Sequence, residues 1–276
     1  MNFAIIGGDE RLIYLSRLLE TDGHAVRAFA LEKARPCAAS AGEALEGADC
    51  AVLPLPCTRG GALNAPLSEQ SHRVESVLSY AAPGTIVCAG QAADLAPLCQ
   101  GLRLSLTDYF QREELVVKNA LLTAEGALSL LLQDSRSLAQ RNILLCGFGR
   151  ISRLLAPRLL ALGAKVSVAA RSKPDLAWAE CMNCRTLDLK KHPALGGFDY
   201  AVNTIPAPIF GEDALGSLAP AKLIELASPP YGFDAEAAAR LGLTLTVAPG
   251  LPGKTAPESA AAAIRDTIYH ILEEST

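Results

Sequence analysis

Residues 144–155, LLCGFGRISRLL, constrain this chain more than any other stretch. An apolar run ends in two glycines one residue apart, and a segment with helical apolar spacing follows at once. The pattern predicts a strand, a tight turn and a helix. Gly147 permits the turn, and Gly149 lets a helix N-terminus approach a pyrophosphate with no Cβ in the way. A third glycine usually follows, for close helix–strand packing. Ser152 stands there instead, small enough to compromise that packing only mildly. The glycine pattern alone is weak; its placement inside a longer alternation gives it weight. Phe148, Arg150 and Ile151 complete the stretch expected at a dinucleotide, against the alternative of a degenerate fold that binds none.

The alternation runs along the whole chain. Strand-like runs lie at 2–7, 24–30, 49–56, 84–90 and 102–106, with helical spacing at 10–22 and helices expected near 67–81 and 91–100. A second series follows at 143–146, 165–170, 184–189, 200–205, 222–227 and 243–248. Strands alternating with helices imply parallel sheets covered on both faces. The expected fold is therefore α/β: two Rossmann-like, doubly wound parallel-sheet domains with an interdomain cleft. Residues 113–133 predict a connecting helix or a broken pair, and 257–273 a last helix that returns to the first unit. The expected division is 1–118 with 257–276 as substrate domain, 119–140 as connecting helix and 141–256 as cofactor domain.

Composition removes some classes of function. A net charge of −4 with no long basic run speaks against nucleic acid. The start, MNFAIIGGDE, reads as a first strand rather than an export signal, and no apolar stretch is expected to span a membrane. A soluble cytoplasmic protein is expected. Cys50, Cys57, Cys88 and Cys146 lie in or beside strand-like runs as small hydrophobes. Cys181 and Cys184 have metal-like spacing, but no second pair completes a zinc site, so no metal is expected.

The strand after the glycine turn selects the cofactor. An NAD site places Asp or Glu near its end; here Ala170 is followed by Arg171, Ser172 and Lys173. A guanidinium, a hydroxyl and an ammonium suit a 2′-phosphate, so NADP is favoured over NAD, unless these residues are an ordinary basic loop. Asn203, Thr204, Ile205 and Pro206 end the fourth strand and are expected at the nicotinamide half, or else merely lead into a helix. The segment 248–257, APGLPGKTAP, reads as a stiff loop in which Gly250, Gly253 and Lys254 cradle a carboxylate, or as a hinge. Arg11 and Arg59 follow strand ends and are placed to grip an anion, with solvated surface charge as the alternative. On the connecting helix Asn119 and Thr123 share a face. Glu125, in an apolar setting, would serve as a general base; a helix-surface carboxylate is the other reading. His24, His72, His192 and His270 carry no motif.

IIGGDERL at the start, LPLP with TRGG at 53–61, NALLTAEGAL, GFGRISRLLA, AARS, NTIPAPIF, LIELAS and APGLPG occur in one order over nearly the whole chain. In that order the chain resembles the family of the dipicolinate synthase A subunit, of the pathway that makes dipicolinic acid in spore-forming bacteria. The resemblance implies oxidation of a dihydrodipicolinate, or its hydroxy-tetrahydro precursor, with hydride passing to NADP. It implies a small dicarboxylate substrate, the flavoprotein-like B subunit of dipicolinate synthase for a partner, a homo-oligomer, and the cytoplasm of a sporulating mother cell. Lys254, Asn119 and Glu125 are then the expected catalytic groups, with Arg11, Arg59, Thr123, Gly250 and Gly253 holding substrate. Two other readings stay open. One is a dehydrogenase for another small carboxylic acid; the other is a nucleotide-binding scaffold whose chemistry lies on a partner.

Overall fold

Short β-rich runs closed by glycine turns build the first series: β1 (Asn2–Ile6), α1 (Glu10–Thr21), β2 (Ala25–Phe29), α2 (Ala41–Leu45), β3 (Cys50–Val52), the two-residue strands β4 (Thr58–Arg59) and β5 (Ala62–Leu63), α3 (Val74–Leu78), β6 (Ile86–Ala89), α4 (Ala96–Gly101), β7 (Ser105–Asp108) and α5 (Glu113–Leu132). The second comprises β8 (Asn142–Cys146), α6 (Arg150–Ala161), β9 (Lys165–Ala170), α7 (Lys173–Cys181), β10 (Arg185–Asp188), β11 (Tyr200–Asn203), α8 (Glu212–Leu218), β12 (Lys222–Glu225), α9 (Ala235–Arg240), β13 (Leu245–Val247), α10 (Leu251–Thr255) and α11 (Pro257–Glu274). The computed structural model describes residues 1–134 and 136–274.

The chain divides into two compact units, Met1–Asn119 with Ala256–Thr276, and Ala120–Thr255. Unit 1 holds a five-stranded sheet in the order β2-β1-β3-β6-β7, with a small antiparallel β4–β5 hairpin. Unit 2 holds six parallel strands in the order β10-β9-β8-β11-β12-β13, the doubly wound dinucleotide order. The order reverses at β8, which pairs with β9 on one side and β11 on the other. Each unit has its own cores. In unit 1, Ile264, Ile268 and Ile271 of α11 join Leu12, Leu15 and Leu19 of α1 beneath β1 and β3. In unit 2, Ala124, Ala127 and Leu131 of α5 join Ile143, Leu145 and Val168.

At the base of the unit 2 sheet, Asp134 accepts from the Lys222 ammonium at 2.6 Å and the Tyr200 hydroxyl at 2.5 Å. Those two donors hold the Asp134 carboxyl well below its usual range. Burial and the same carboxylate push the Tyr200 phenol up to about 12.

Several elements differ from the sequence expectation. The helix expected over 67–81 shrinks to Val74–Leu78. The Ser68 hydroxyl accepts from the Gln70 N–H and bonds the His72 ring, a local alternative to helical pairing. The strand expected at 102–106 begins only at Ser105, because Leu102 caps α4 and Arg103 takes a left-handed φ of 57°. The connecting helix is one unbroken element, Glu113–Leu132. By length and composition it could cross a membrane, contrary to the expectation that no stretch would; its inward residues instead fill the cores of the fold. The expected loop at 248–257 contains the helical turn α10, whose Leu251 is buried against Gly126 of α5.

Candidate dinucleotide site

The turn after β8 meets the physical demands of an anion site. Gly147 has φ +87°, and a Cβ there would lie 2.8 Å from both Ile205 Cγ1 and Thr204 Oγ1. Gly149 begins α6 in an extended conformation with no side chain capping the helix, and no acidic residue lies in the first turn. The space where its Cβ would sit is open to 4 Å. An uncapped helix start of this kind presents unsatisfied N–H groups and the positive end of the helix dipole. The Phe148 ring is 1% exposed and lies in the core, so any part of Phe148 in a dinucleotide site falls to its backbone. Arg150 is exposed and Ile151 half-buried.

Ser152 explains the missing third glycine. It is fully buried, 3.2 Å from Thr204 Oγ1. The Thr204 hydroxyl donates to the Cys146 carbonyl at 2.9 Å. Its one proton is therefore spent, and the Ser152 hydroxyl donates to Thr204. The small side chain keeps the helix close to the sheet and ties the glycine turn to the end of β11.

The equivalent turn of unit 1 is filled instead. Asp9 caps α1 by accepting from the Arg11 N–H at 3.1 Å, and Glu10 adds a second acid to the first turn. Leu63 and Ala65 pack at 3.0 and 3.2 Å from a Cβ position on Gly7, and the Gly8 N–H donates to the Asn64 carbonyl at 2.9 Å. Arg11 is corrected as an open anion grip. Its buried guanidinium donates to Asp9 at 2.9 and 2.8 Å and to the Leu55 carbonyl at 2.6 Å. Burial alone would lower its pKa, but Asp9 reverses that and raises it.

Beyond β9, Ala170 is buried and Arg171 exposed. Arg171 lines a cavity of about 430 Å³ with Leu189, His192, Leu195, Ile209 and Phe210, a largely apolar slot. The other two residues expected at a 2′-phosphate already have partners. Ser172 caps α7 through the Asp175 N–H at 3.4 Å, and Lys173 pairs with Asp188 at 2.8 Å. Arg153 braces the glycine turn, donating to the Phe148 carbonyl at 3.0 Å and to Asp175 at 2.8 Å. Its guanidinium lies 5.6 Å from the centre of the Trp178 ring.

At the end of β11 the Asn203 side chain turns inward, which corrects its placement among cofactor contacts. It is wholly buried. Its amide donates to Glu225 at 2.7 Å and to the Ile205 carbonyl at 3.0 Å, and accepts from the Ile205 N–H at 3.1 Å. Thr204 and Ile205 are half-buried and Pro206 exposed. Glu225 was missed from sequence. It is fully buried, and its oxygens accept from Asn203, from the Ala227 N–H at 2.9 Å, and from the Gly232 and Phe233 N–H groups at 2.9 and 3.1 Å. The available signal was a lone acid inside the apolar run KLIELA, since acids are rarely buried without a purpose.

The expected catalytic groups are scattered. Glu125 is exposed on α5, 3.8 Å from Arg158, and is corrected as a base in an apolar setting. Thr123 is buried and Asn119 half-buried on that helix. Lys254 is exposed and Gly253 half-buried within α10, and Gly250 precedes it at φ +68°. Arg59 is exposed on the β4–β5 hairpin.

Residues 2–110 match the family of the N-terminal domain of the dipicolinate synthase A subunit. The chain is 29% identical to the dipicolinate synthase A subunit of Bacillus subtilis strain 168, over 99% of this chain and 96% of that one. It is similar to the crystal structure of the dipicolinate synthase A subunit from Bacillus halodurans, with a TM-score of 0.86 and 26% identity over 98% and 97% of the two chains. A transhydrogenase from Sinorhizobium meliloti shares the fold, with a TM-score of 0.67 and 14% identity over 98% and 94% of the chains.

Proposed function

We propose that the chain is a member of the family of the dipicolinate synthase A subunit, to which its sequence and fold are similar, and that it oxidises dihydrodipicolinate, or its hydroxy-tetrahydro precursor, to dipicolinate with NADP. The observation that carries this reading is the contrast between two similar turns. In unit 2 the helix start is uncapped and open at Gly149; in unit 1 Asp9, Glu10 and Leu63 fill it. A pyrophosphate suits the first and is repelled by the second.

NADP is preferred because Ala170 stands where an acid would bind a ribose hydroxyl, and Arg171 is exposed beside the apolar slot. That slot would hold the adenine, and Arg171 would hold the 2′-phosphate. The bound nicotinamide supplies hydride acceptance. The residues of this chain have the remaining work of binding and orientation. Arg59 and Lys254, both exposed cations, are each suited to a substrate carboxylate. From dihydrodipicolinate, loss of one hydride and one proton makes the ring aromatic, which drives the reaction; the hydroxy-tetrahydro precursor loses one water as well. With Glu125 on the surface, the proton passes to solvent or to a group on another chain. The B subunit of dipicolinate synthase is the proposed partner, a homo-oligomer the proposed assembly, and the cytoplasm of the sporulating mother cell the proposed location.

The test mixes the purified chain with NADP or NAD and substrate made in place by dihydrodipicolinate synthase from aspartate semialdehyde and pyruvate. Reduced nicotinamide and dipicolinate absorbance are followed with and without the partner subunit. Turnover by the chain alone, faster with NADP, is expected. Turnover only in the partner's presence would move the chemistry to a shared site. No turnover in either case, despite NADP binding, would assign another small carboxylic acid.

A further inference from the structure

We propose that β13 is an interaction surface for a second copy of this chain, and that two copies join their unit 2 sheets into one along it. The inference deepens the homo-oligomer of the proposed function and rests on that reading. β13 is the last strand of the six-stranded sheet, so one of its sides has no strand beside it. An open side offers unpaired N–H and C=O groups, and folded chains commonly guard it with charge or proline. The other outer strands of the two large sheets follow that rule: β2 carries Arg27, β7 carries Asp108, and β10 carries both Arg185 and Asp188. The stretch 241–248, LGLTLTVA, has neither a charge nor a proline. Val247 is 43% exposed and Leu241 38%, and Thr244 and Thr246 are exposed as well.

The backbone fixes which groups are free. The Leu223 N–H donates to the Thr244 carbonyl, and the Ala248 N–H to the Glu225 carbonyl, each at 2.8 Å. Pairing with β12 thus uses Thr244, Thr246 and Ala248, and the N–H and C=O groups of Leu245 and Val247 point to the open side. The Leu243 carbonyl points the same way, while its N–H donates to the Ala238 carbonyl at 2.9 Å. Antiparallel pairing about a two-fold axis at Leu245 satisfies the free N–H groups. Leu245 of each copy donates to the Leu245 carbonyl of the other, and each Val247 N–H meets a Leu243 carbonyl. The same register sets Leu243 against Val247, Leu245 against Leu245 and Thr244 against Thr246. LTLTV is therefore complementary to itself: apolar side chains meet on one face, threonines meet on the other, and no like charges are opposed. That self-match singles out a second copy as the occupant.

The test is sedimentation equilibrium of the full chain. Wild type is expected as a dimer or a larger even-numbered assembly. Thr244→Lys combined with Thr246→Lys sets lysine against lysine across the pairing. Both side chains are exposed and make no hydrogen bond among the described residues, so the variant is expected to fold, by circular dichroism, and to have half the wild-type mass. A second variant combines Thr244→Cys with Thr246→Cys. In an antiparallel pair these positions are of the close, non-hydrogen-bonded kind, within disulfide reach. With oxidised glutathione, two thiols from different copies form one disulfide, and their two electrons and two protons leave as two molecules of reduced glutathione. Covalent dimers are expected from the double cysteine variant and not from either single one. If the lysine variant does not fold, the cysteine pair decides alone. A folded lysine variant with the wild-type mass would overturn the proposal and leave the homo-oligomer standing, as would a double cysteine variant that cross-links no more than the single ones. A wild type that is monomeric at micromolar concentration would overturn both.

Discussion

In the proposed function Gly149 and Arg171 divide the affinity for a phosphorylated dinucleotide between them, and each can be tested alone. The backbone at Gly149, φ −79° and ψ −165°, is one that aspartate adopts readily at a helix start. Gly149→Asp should therefore leave stability unchanged or raise it by about 0.5–1 kcal/mol, while adding a carboxylate at the proposed pyrophosphate position. Thermal unfolding should show the first effect, and titration should show NADP affinity lower by tenfold or more. A variant that binds NADP normally would place the phosphates elsewhere. Arg171→Ala removes a charge-assisted contact worth about 1.5–3 kcal/mol, so NADP should weaken roughly tenfold to a hundredfold with NAD little changed. Equal loss for both would show that Arg171 does not read the 2′-phosphate.

Among the elements, the β8–α6 pair and the β11 and β12 strand ends form one hydrogen-bonded assembly, and the opposite end of the same sheet has a separate one. There Lys222 and Tyr200 hold Asp134 ionised to lower pH than usual. A carboxyl whose folded pKa is depressed stabilises fully above its unfolded value, near 4, and loses that contribution as pH falls through the folded value. Asp134→Asn should thus unfold more easily than wild type at neutral pH. The gap should narrow steadily below about pH 4. Chemical denaturation across pH 2–7 measures it, and a gap independent of pH would mean that the side chain acts by packing alone. The acid range was not legible in sequence, because Asp134, Tyr200 and Lys222 lie far apart in the chain.

For the whole molecule, the relevant fact is that each unit carries its own cores. Ile268 is fully buried in unit 1, on the helix that returns from the end of the chain. Ile268→Ala should cost about 2–5 kcal/mol there. NADP at a hundred times its Kd should stabilise unit 2 by about 2.7 kcal/mol. Scanning calorimetry is expected to show two transitions, one moved by the substitution and the other by the ligand. A single transition moved by both would show that the units unfold together.

Periodicity and glycine spacing specify local geometry, and they determined much of this protein. The six-run series from 143 to 248, the strand–turn–helix at 144–155 and the last helix are all carried by short-range patterns of apolar residues. Tertiary structure decided which of those patterns stay open to a ligand. GGDERL and GFGRIS read alike as glycine turns before helices. Only the folded chain places Leu63, Asn64 and Leu55 over the first while leaving Gly149 clear. The same holds for single side chains. Arg11, Asn203 and Glu125 look like candidate site residues along the chain, yet one pairs with Asp9, one with the buried Glu225, and one stands in solvent near Arg158. Sequence sets which polar groups are available. The long-range contacts that bury or satisfy them decide which remain for chemistry, because a buried donor or acceptor must find a partner wherever the fold brings one.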